Sequence, residues 1–414
     1  MFKKLCSFMF SIMHVGDKVK GISDNRERKS RYRVHNSVMG TLLGLLMQVE
    51  SLNSMLEDPT RLSRIQKALG EALPKIDALR SHLSGADPQE IKGVNDGVVE
   101  DASTLGTFDR GTIDGELVMG LDGTENYVSK VKICDRCHYR SRRGDGGEPE
   151  MHHRIVVAST VGPDLGMCVI IDSEPLAPHG PSSKAQGETT AAKKIIPRIP
   201  LLLGRPADYL TMDALYLKTP VLDAAREAGM HAIVRLKGDN LKILGEAKEI
   251  FEAGGGRRGD LDFTHKQDGG KTWRVEVWMA GNMEFAKYGE LAVFRFDAQA
   301  PNGACETMHI ACTDMEASAK FVWKCAHYRW DIELSAIKML KGQFHFDHCF
   351  CHGAFDQICQ LNILAFNLRA LFFGFWMPKL KKGLTWKAIT NIMLDEILLM
   401  RKQPEGMKEF MEDG

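Results

Sequence analysis

Residues 327–352 read His-Tyr-Arg-Trp-Asp-Ile-Glu-Leu-Ser-Ala-Ile-Lys-Met-Leu-Lys-Gly-Gln-Phe-His-Phe-Asp-His-Cys-Phe-Cys-His. Trp330, Leu334, Ile337 and Leu340 recur at three- and four-residue intervals, which predicts a helix with one apolar stripe. Arg329, Glu333, Lys338 and Lys341 fall on the other side, with Arg329 and Glu333 one turn apart and therefore neighbours. An amphipathic helix with a solvated ion pair accounts for that much. The order Arg-Trp-Asp-Ile-Glu followed by spaced lysines is more particular than chance charge pairing. The stretch then closes on a concentration of His and Cys.

Upstream, two apolar runs end on aspartates. Glu116–Leu121 leads into Asp122-Gly-Thr-Glu-Asn-Tyr, and Asp208–Met212 leads into Asp213-Ala-Leu-Tyr. Both read as strands with an acidic residue at the end. Asp213 follows Asp122 by 91 positions and Glu333 follows Asp213 by 120. One such aspartate could merely cap a helix or start a turn. Three acidic residues in this order, each in a fitting local context, are far less common by accident.

Taken together, the helix and the two aspartates resemble the DDE transposases of bacterial insertion sequences, in the group with a Tyr, Arg, Glu, Lys signature helix. The resemblance runs from about residue 25 to 375. It implies an α/β fold: a ribonuclease-H-like catalytic core, a β-rich insertion before the last acidic residue, and a helical N-terminal region in front. It also implies cleavage of DNA at element ends and strand transfer into target DNA. Asp122, Asp213 and Glu333 would be catalytic and would hold Mg²⁺, for which Mn²⁺ can substitute. Mg²⁺ prefers a few oxygen ligands plus water and phosphates, and two such ions roughly 3.5–4 Å apart can clamp both oxygens of an in-line phosphoryl transfer. Asp122 is assigned the bridging position, with Asp213 and Glu333 on either side. Arg329, Lys338 and Lys341 are assigned to the DNA backbone. Trp330 either stacks on an unpaired base or packs in the core. The sequence departs from the family helix twice: Ala326 stands at the tyrosine position, with Tyr328 two residues along, and the lysine comes one residue late, at Lys341.

Working outward, six segments are expected: a basic arm (1–35), a helical DNA-binding region (36–110), the first part of the core (111–239), the β-rich insertion (240–312), the second part of the core (313–377) and a charged helical tail (378–414). In the helical region, Val38, Leu42, Leu45, Val49, Leu52 and Leu56 make one stripe, and Leu62, Ile65, Leu69 and Leu73 another. Asp58-Pro59-Thr60 separates them, with Thr60 as the expected N-cap. Further strands are expected at Arg154–Thr160, Met167–Ile171, His231–Lys237, Thr272–Met279 and Leu291–Phe296. Residues 172–190 read as a loop, Thr190–Ile196 as a helix stopped by Pro197, and Val221–Ala228 as a helix closed by Gly229.

Composition bounds the rest. The 414 residues can bury a large core, and 44% hydrophobic with 26% charged is ordinary for a globular chain. Formal net charge is zero, so bulk charge does not point to nucleic acid. Residues 18–34 are locally basic, whereas 84–126 are mostly acidic. Met1–Val15 is apolar but lacks a small-residue cleavage site. The apolar run near Ile363–Met377, broken by Asn367 and Arg369, is expected to be too short for a bilayer. Ten cysteines, many beside apolar residues, fit buried thiols in a reducing cytoplasm. Cys134 and Cys137 form a Cys-x-x-Cys pair that His348 and His352 could complete as a structural Zn²⁺ site; packed thiols are the alternative. DNA, as terminal repeats and target, is the expected partner, with a dimer in the synaptic complex. A catalytically inactive DNA-binding derivative and a stand-alone nuclease of the same fold are the competing readings.

Overall fold

The computed structural model describes residues 1–26, 32–131, 134–141, 149–178, 186–238, 241–264, 272–300 and 302–412. The N-terminal part is helical: α1 (Phe2–Ser7), a π-helical turn (Phe8–Ile12), α2 (Val15–Lys20), α3 (Val34–Leu46), α4 (Leu52–Glu57), α5 (Pro59–Leu69), α6 (Ile76–Gly85) and α7 (Pro88–Thr104). The expectation of a basic arm at 1–35 is corrected over its described part. Phe2, Leu5, Met9, Val15 and Val19 are fully buried, because their spacing makes an apolar face that packs into the core. The Phe2 N–H donates to Glu396 at 2.8 Å. Lys18 is paired with Asp101 at 2.7 Å, and Arg26 with Asp24 at 2.7 Å. Arg28, Lys29 and Arg31 lie outside the described residues. Asp58, not Thr60, caps α5, accepting from the backbone N–H groups of Thr60 at 2.9 Å and Arg61 at 3.1 Å. Pro59 occupies the first helical position, so the capping residue is the one before it. Helix α7 falls within the expected helical region, in a stretch whose only other noted feature is its acidity.

Among the described residues, ten strands form one sheet: β1 (Val118–Ser129), β2 (His138–Ser141), β3 (Pro149–Thr160), β4 (Ile170–Pro175), β5 (Tyr209–Met212), β6 (His231–Leu236), β7 (Arg257–Thr264), β8 (Thr272–Phe285), β9 (Gly289–Gln299) and β10 (Cys305–Cys312). The order is β2-β3-β1-β5-β6-β10-β9-β8-β7, with β4 sharing the β2 edge of β3. Strands β1, β5 and β6 run parallel, β3 runs antiparallel to β1, and β4 runs antiparallel to β3. Parallel neighbours need covering crossovers. Helices α8 (Glu188–Ile195) and α9 (Ile199–Leu203) lie between β4 and β5, and α10 (Thr219–Glu227) between β5 and β6. Pro197 does not stop the helix; it sits in a 3₁₀ turn, Ile196–Arg198, that joins α8 to α9. Residues 172–190, expected as a loop, give their first residues to β4 and their last to α8.

The span 240–312 is not all β. It begins with α11 (Lys242–Glu252), whose Ile243, Leu244, Ala247 and Phe251 are buried. Strands β7 to β10 then extend the central sheet, because β10 pairs antiparallel with β6. Helix α12 (Ala319–Tyr328) follows, N-capped by Ser318, and its Trp323 is buried against Phe296 and Trp273. The chain then passes through a π-helical segment (Ile332–Ile337) into α13 (Lys338–Phe344), and later α14 (Phe355–Ala370).

Helix α14 is buried on every side, between α3 and α7 on one flank and β4 on the other. Two of its buried polar residues bond to distant segments of the chain. Asn367 donates to Asn95 at 2.8 Å and to the Ile170 carbonyl at 2.7 Å, and accepts from the Ile170 N–H at 2.9 Å. Arg369 donates to the Leu46 carbonyl at 2.9 Å and to Thr390 at 3.0 Å. The apolar run expected to be too short for a bilayer belongs to a helical stretch of 25 residues, His352–Trp376, long and apolar enough to cross one. Of its apolar window, 89% is buried inside the protein. Helices α15 (Trp386–Leu399) and α16 (Glu405–Glu412) complete the chain and pack against α1 and α5.

Phe8 is 1% exposed and faces Phe372 and Trp376 at ring separations of 5.5 and 5.8 Å. Phe8→Ala should therefore cost about 3–5 kcal/mol of stability, measured by chemical denaturation. A loss within about 0.5 kcal/mol, as at a surface position, would return these residues to the status of an arm.

Candidate active site

Strands β1 and β5 are in parallel register from Val118 opposite Tyr209 to Leu121 opposite Met212. One further step sets Asp122 opposite Asp213, whose backbone is still extended. Neighbouring strands lie roughly 4.8 Å apart, so the two carboxylates come from adjacent positions. Asp213 ends its strand as expected, and its side chain accepts from the Leu215 N–H at 2.9 Å. Asp122 does not end its strand. The sequence reads as a strand ending there, but β1 continues to Ser129 because β3 pairs with it past that point.

Glu333 reaches this place from the π-helical segment, and glycine makes that possible. A Cβ on Gly120 would lie 2.8 Å from Val161 and 3.4 Å from the Cβ of Ile332. The missing side chain lets the helix settle on β1, two residues before Asp122 and on the same strand face. Arg329 then lies between the acids. Its Nη2 is 2.9 Å from Glu333 and its Nη1 is 3.8 Å from Asp122. The guanidinium is buried, so the assignment of Arg329 to the DNA backbone is corrected: it holds carboxylates.

The apolar stripe of this helix is also corrected. Trp330 is 47% exposed and Leu334 45%, whereas Ile332, Ala336, Ile337 and Leu340 are buried. A π-helical turn holds an extra residue, so Ile332 and Ile337, five apart, share the inward face, and a 3.6-residue period misreads it. Trp330 is therefore not a core residue. Lys338 is exposed on the same helix and Lys341 is partly buried.

Burial pushes Asp122 up to about 7, against the pull of Arg329 and the Gly123 N–H, and with help from the negative charges of Glu333 and Asp213. The three carboxylates thus share one electrostatic site. A fourth acid, Glu188 at the start of α8, escaped the sequence reading. Its carboxyl carbon would meet a Cβ on Gly123 at 2.4 Å. It accepts from the Tyr216 hydroxyl at 3.3 Å and pairs with Arg154. Burial raises Tyr216, and so do the charges of Glu188, Asp122 and Asp213. Glu188 lies just after a Pro-, Ser- and Gly-rich stretch, with no motif to mark it.

A second group of side chains gathers farther along β1. Cys134, Cys137, His153 and His352 present ligand atoms that all lie within 4.8 Å of one another. His348, expected in that set, is replaced by His153. His348 is exposed and its ring packs against Phe350, while His153 on β3 points at the Cys-x-x-Cys turn. Register pairs Asp122 with Val157 and Tyr127 with His153, so this group stands roughly 14 Å along the sheet from Asp122.

Two outcomes follow. Gly120→Val should lift the helix off β1, lowering stability by about 1–3 kcal/mol and moving Glu333 away from Asp122; unchanged stability would show that the close approach is not needed. In metal-free buffer, folded Asp122 takes up a proton below about 7 while the unfolded carboxylate titrates near its ordinary 3.8. Protons are then lost on unfolding in that window, so this residue's contribution to stability falls as pH rises from about 4 to about 7. Asp122→Asn should accordingly gain on wild type between those values, by at least ~1 kcal/mol, read from denaturation at each pH. A constant difference would place Asp122 outside the cluster.

Residues 169–368 match the family model of the transposase DDE domain, a span that contains Asp213 and Glu333 and begins after Asp122. No curated protein matches the chain. Two of the three carboxylates lie inside the matched span and the strand register sets the third opposite Asp213, so the match supports a DDE-type transposase.

Proposed function

We propose that this chain is a DDE-type transposase that cleaves DNA strands at the ends of an insertion sequence and joins the freed 3′ ends to target DNA. The observation that carries the reading is the convergence of Asp122 and Glu333 on one buried guanidinium, with Asp213 beside Asp122 at the end of the adjacent parallel strand. The strand order β4-β3-β1-β5-β6, with β1, β5 and β6 parallel, supports a ribonuclease-H-like core. In such a core the carboxylates at the ends of the central strands face the phosphodiester.

The donor set suits a hard divalent cation. It is all oxygen, and its mutual repulsion is what a cation relieves. Asp122, Asp213 and Glu333 would hold Mg²⁺, or Mn²⁺ in its place. When bound, the ions supply charge neutralisation at the phosphoryl oxygens and a more acidic bound water. The chain's own part is positioning. Arg329 orients Glu333 and approaches Asp122, so both carboxylates are fixed before the substrate arrives. Glu188, anchored by Arg154 and Tyr216, keeps a further negative charge beside Gly123. Trp330 and Leu334, exposed next to Glu333, offer an apolar surface on which an unpaired base at the cleaved end stacks. Lys338 adds charge for the backbone, and Lys341 lies a turn beyond it. Synapsis of two ends calls for two copies of the chain.

The test is incubation of the full chain with Mg²⁺ or Mn²⁺ and duplexes carrying the element's own terminal repeats. Defined nicks at the repeat boundary, and joined products with a target duplex, are expected. Asp122→Asn, Asp213→Asn and Glu333→Gln should each reduce cleavage by at least about 10³-fold while repeat binding persists. Cleavage without joining would indicate a stand-alone nuclease. Binding without any metal-dependent product would indicate an inactive DNA-binding derivative, and an active Asp213→Asn protein would remove the assignment of the triad.

A further inference from the structure

Cys134 and Cys137 lie on the turn between β1 and β2, His153 on β3, and His352 just before α14. The Sγ of Cys137 is 3.3 Å from His153 Nε2 and 3.4 Å from His352 Nε2. The Sγ of Cys134 is 3.4 Å from His153 Nε2 and 3.8 Å from the Sγ of Cys137. Around a tetrahedral zinc, with Zn–S of about 2.3 Å and Zn–N of about 2.0–2.1 Å, neighbouring ligand atoms stand roughly 3.4–3.8 Å apart. The separations found here match those edges. Hydrogen bonding explains them poorly, because two thiols aim at the single lone pair of His153 Nε2. One cation at the centre satisfies all four atoms.

We propose that Cys134, Cys137, His153 and His352 form a closed, structural Zn²⁺ site that clamps the β1–β3 hairpin to the segment following the Glu333 helix. Two cysteines and two histidines are a soft and borderline donor set that favours zinc over Mg²⁺. All four positions are filled by side chains, so the site keeps no open position for substrate or water. Its surroundings are those of a structural site. Tyr127 packs on the rings of His153 and His352 at 5.9 and 5.3 Å, and Phe355 lies 4.0 Å from the His153 ring. Beside it, Arg136 of the Cys-x-x-Cys turn reaches Asp356 on α14 at 3.1 Å, crossing the same junction. The clamp has a mechanical consequence. The helical segment bearing Glu333 is fixed near its start by Arg329 against Asp122, and the connection after α13 is fixed by His352 to the far part of β1 and β3. Loss of the ion frees residues 345–354 at one end. The inference does not depend on the phosphoryl-transfer reading.

The full chain, purified under reducing conditions without added metal, should carry about one zinc per chain by elemental analysis. Exchange with Co²⁺ should give the visible ligand-field bands of a tetrahedral site and the near-ultraviolet charge-transfer bands of thiolate coordination. Cys137→Ser and His153→Ala should lose the metal, whereas His348→Ala should keep it. A strong chelator should lower the Tm of wild type and leave that of Cys137→Ser unchanged. Because the ligand variants could fail to fold, the cobalt spectrum of wild type stands as the deciding measurement. Well-folded wild type with neither zinc nor cobalt bands would overturn the proposal. So would a Cys134–Cys137 disulfide found by mass spectrometry in the reduced preparation, and loss of metal in His348→Ala with retention in His153→Ala would overturn the ligand set.

Discussion

A buried guanidinium between carboxylates is the constraint around which the site is arranged. Arg329 is desolvated, and removing a cation from water is expensive unless anions lie close by. Glu333 at 2.9 Å and Asp122 at 3.8 Å are those anions. The compensation is partial, since burial still pushes Asp122 up to about 7. Burial and the like charges of Glu333 and Asp213 disfavour the charged form of Asp122, and Arg329 offsets them only in part.

Backbone geometry brings these groups together before any side chain acts. Parallel pairing of β1 and β5 sets two aspartates side by side. Gly120 removes the one side chain that would hold Ile332, and with it Glu333, away from the sheet. Local strain in the helix belongs to the same solution. The π-helical segment rotates Glu333, Trp330 and Leu334 to the outside while Ile332 and Ile337 seat inward. Such turns are uncommon and recur at functional sites.

The other anchor of this region is the set of Cys and His side chains roughly 14 Å away along the sheet. Between the two, the helical hairpin that carries Glu333 is tied to β1 at one end and to the β1–β3 hairpin at the other. Helix α14 then secures the whole assembly to the N-terminal helices through Asn367 and Arg369, whose polar groups bond to partners from distant segments. The N-terminal helices, packed on the C-terminal α15 and α16, share the same core.

Much of this was legible in the residues themselves. Strand and helix periods marked β5, β6, α10 and the helices from α3 to α6, and local context singled out Asp122, Asp213 and Glu333 as a set. Cys134 and Cys137 announced themselves by spacing, because two ligands on one turn are fixed by local geometry. What escaped was nonlocal. Glu188 and His153 have no motif and acquire meaning only from neighbours in the fold. Residues 1–35, apolar to Val15 and basic from Lys18, read as an arm until an apolar partner surface is supplied by the C-terminal helices. The exposure of Trp330 and the burial of Arg329 depended on a π-helical turn that a 3.6-residue period cannot express. The sequence by itself determined which residues are candidates, because chemical type and spacing are local properties; tertiary structure decided which of them meet, because register, close approach and burial belong to the folded chain.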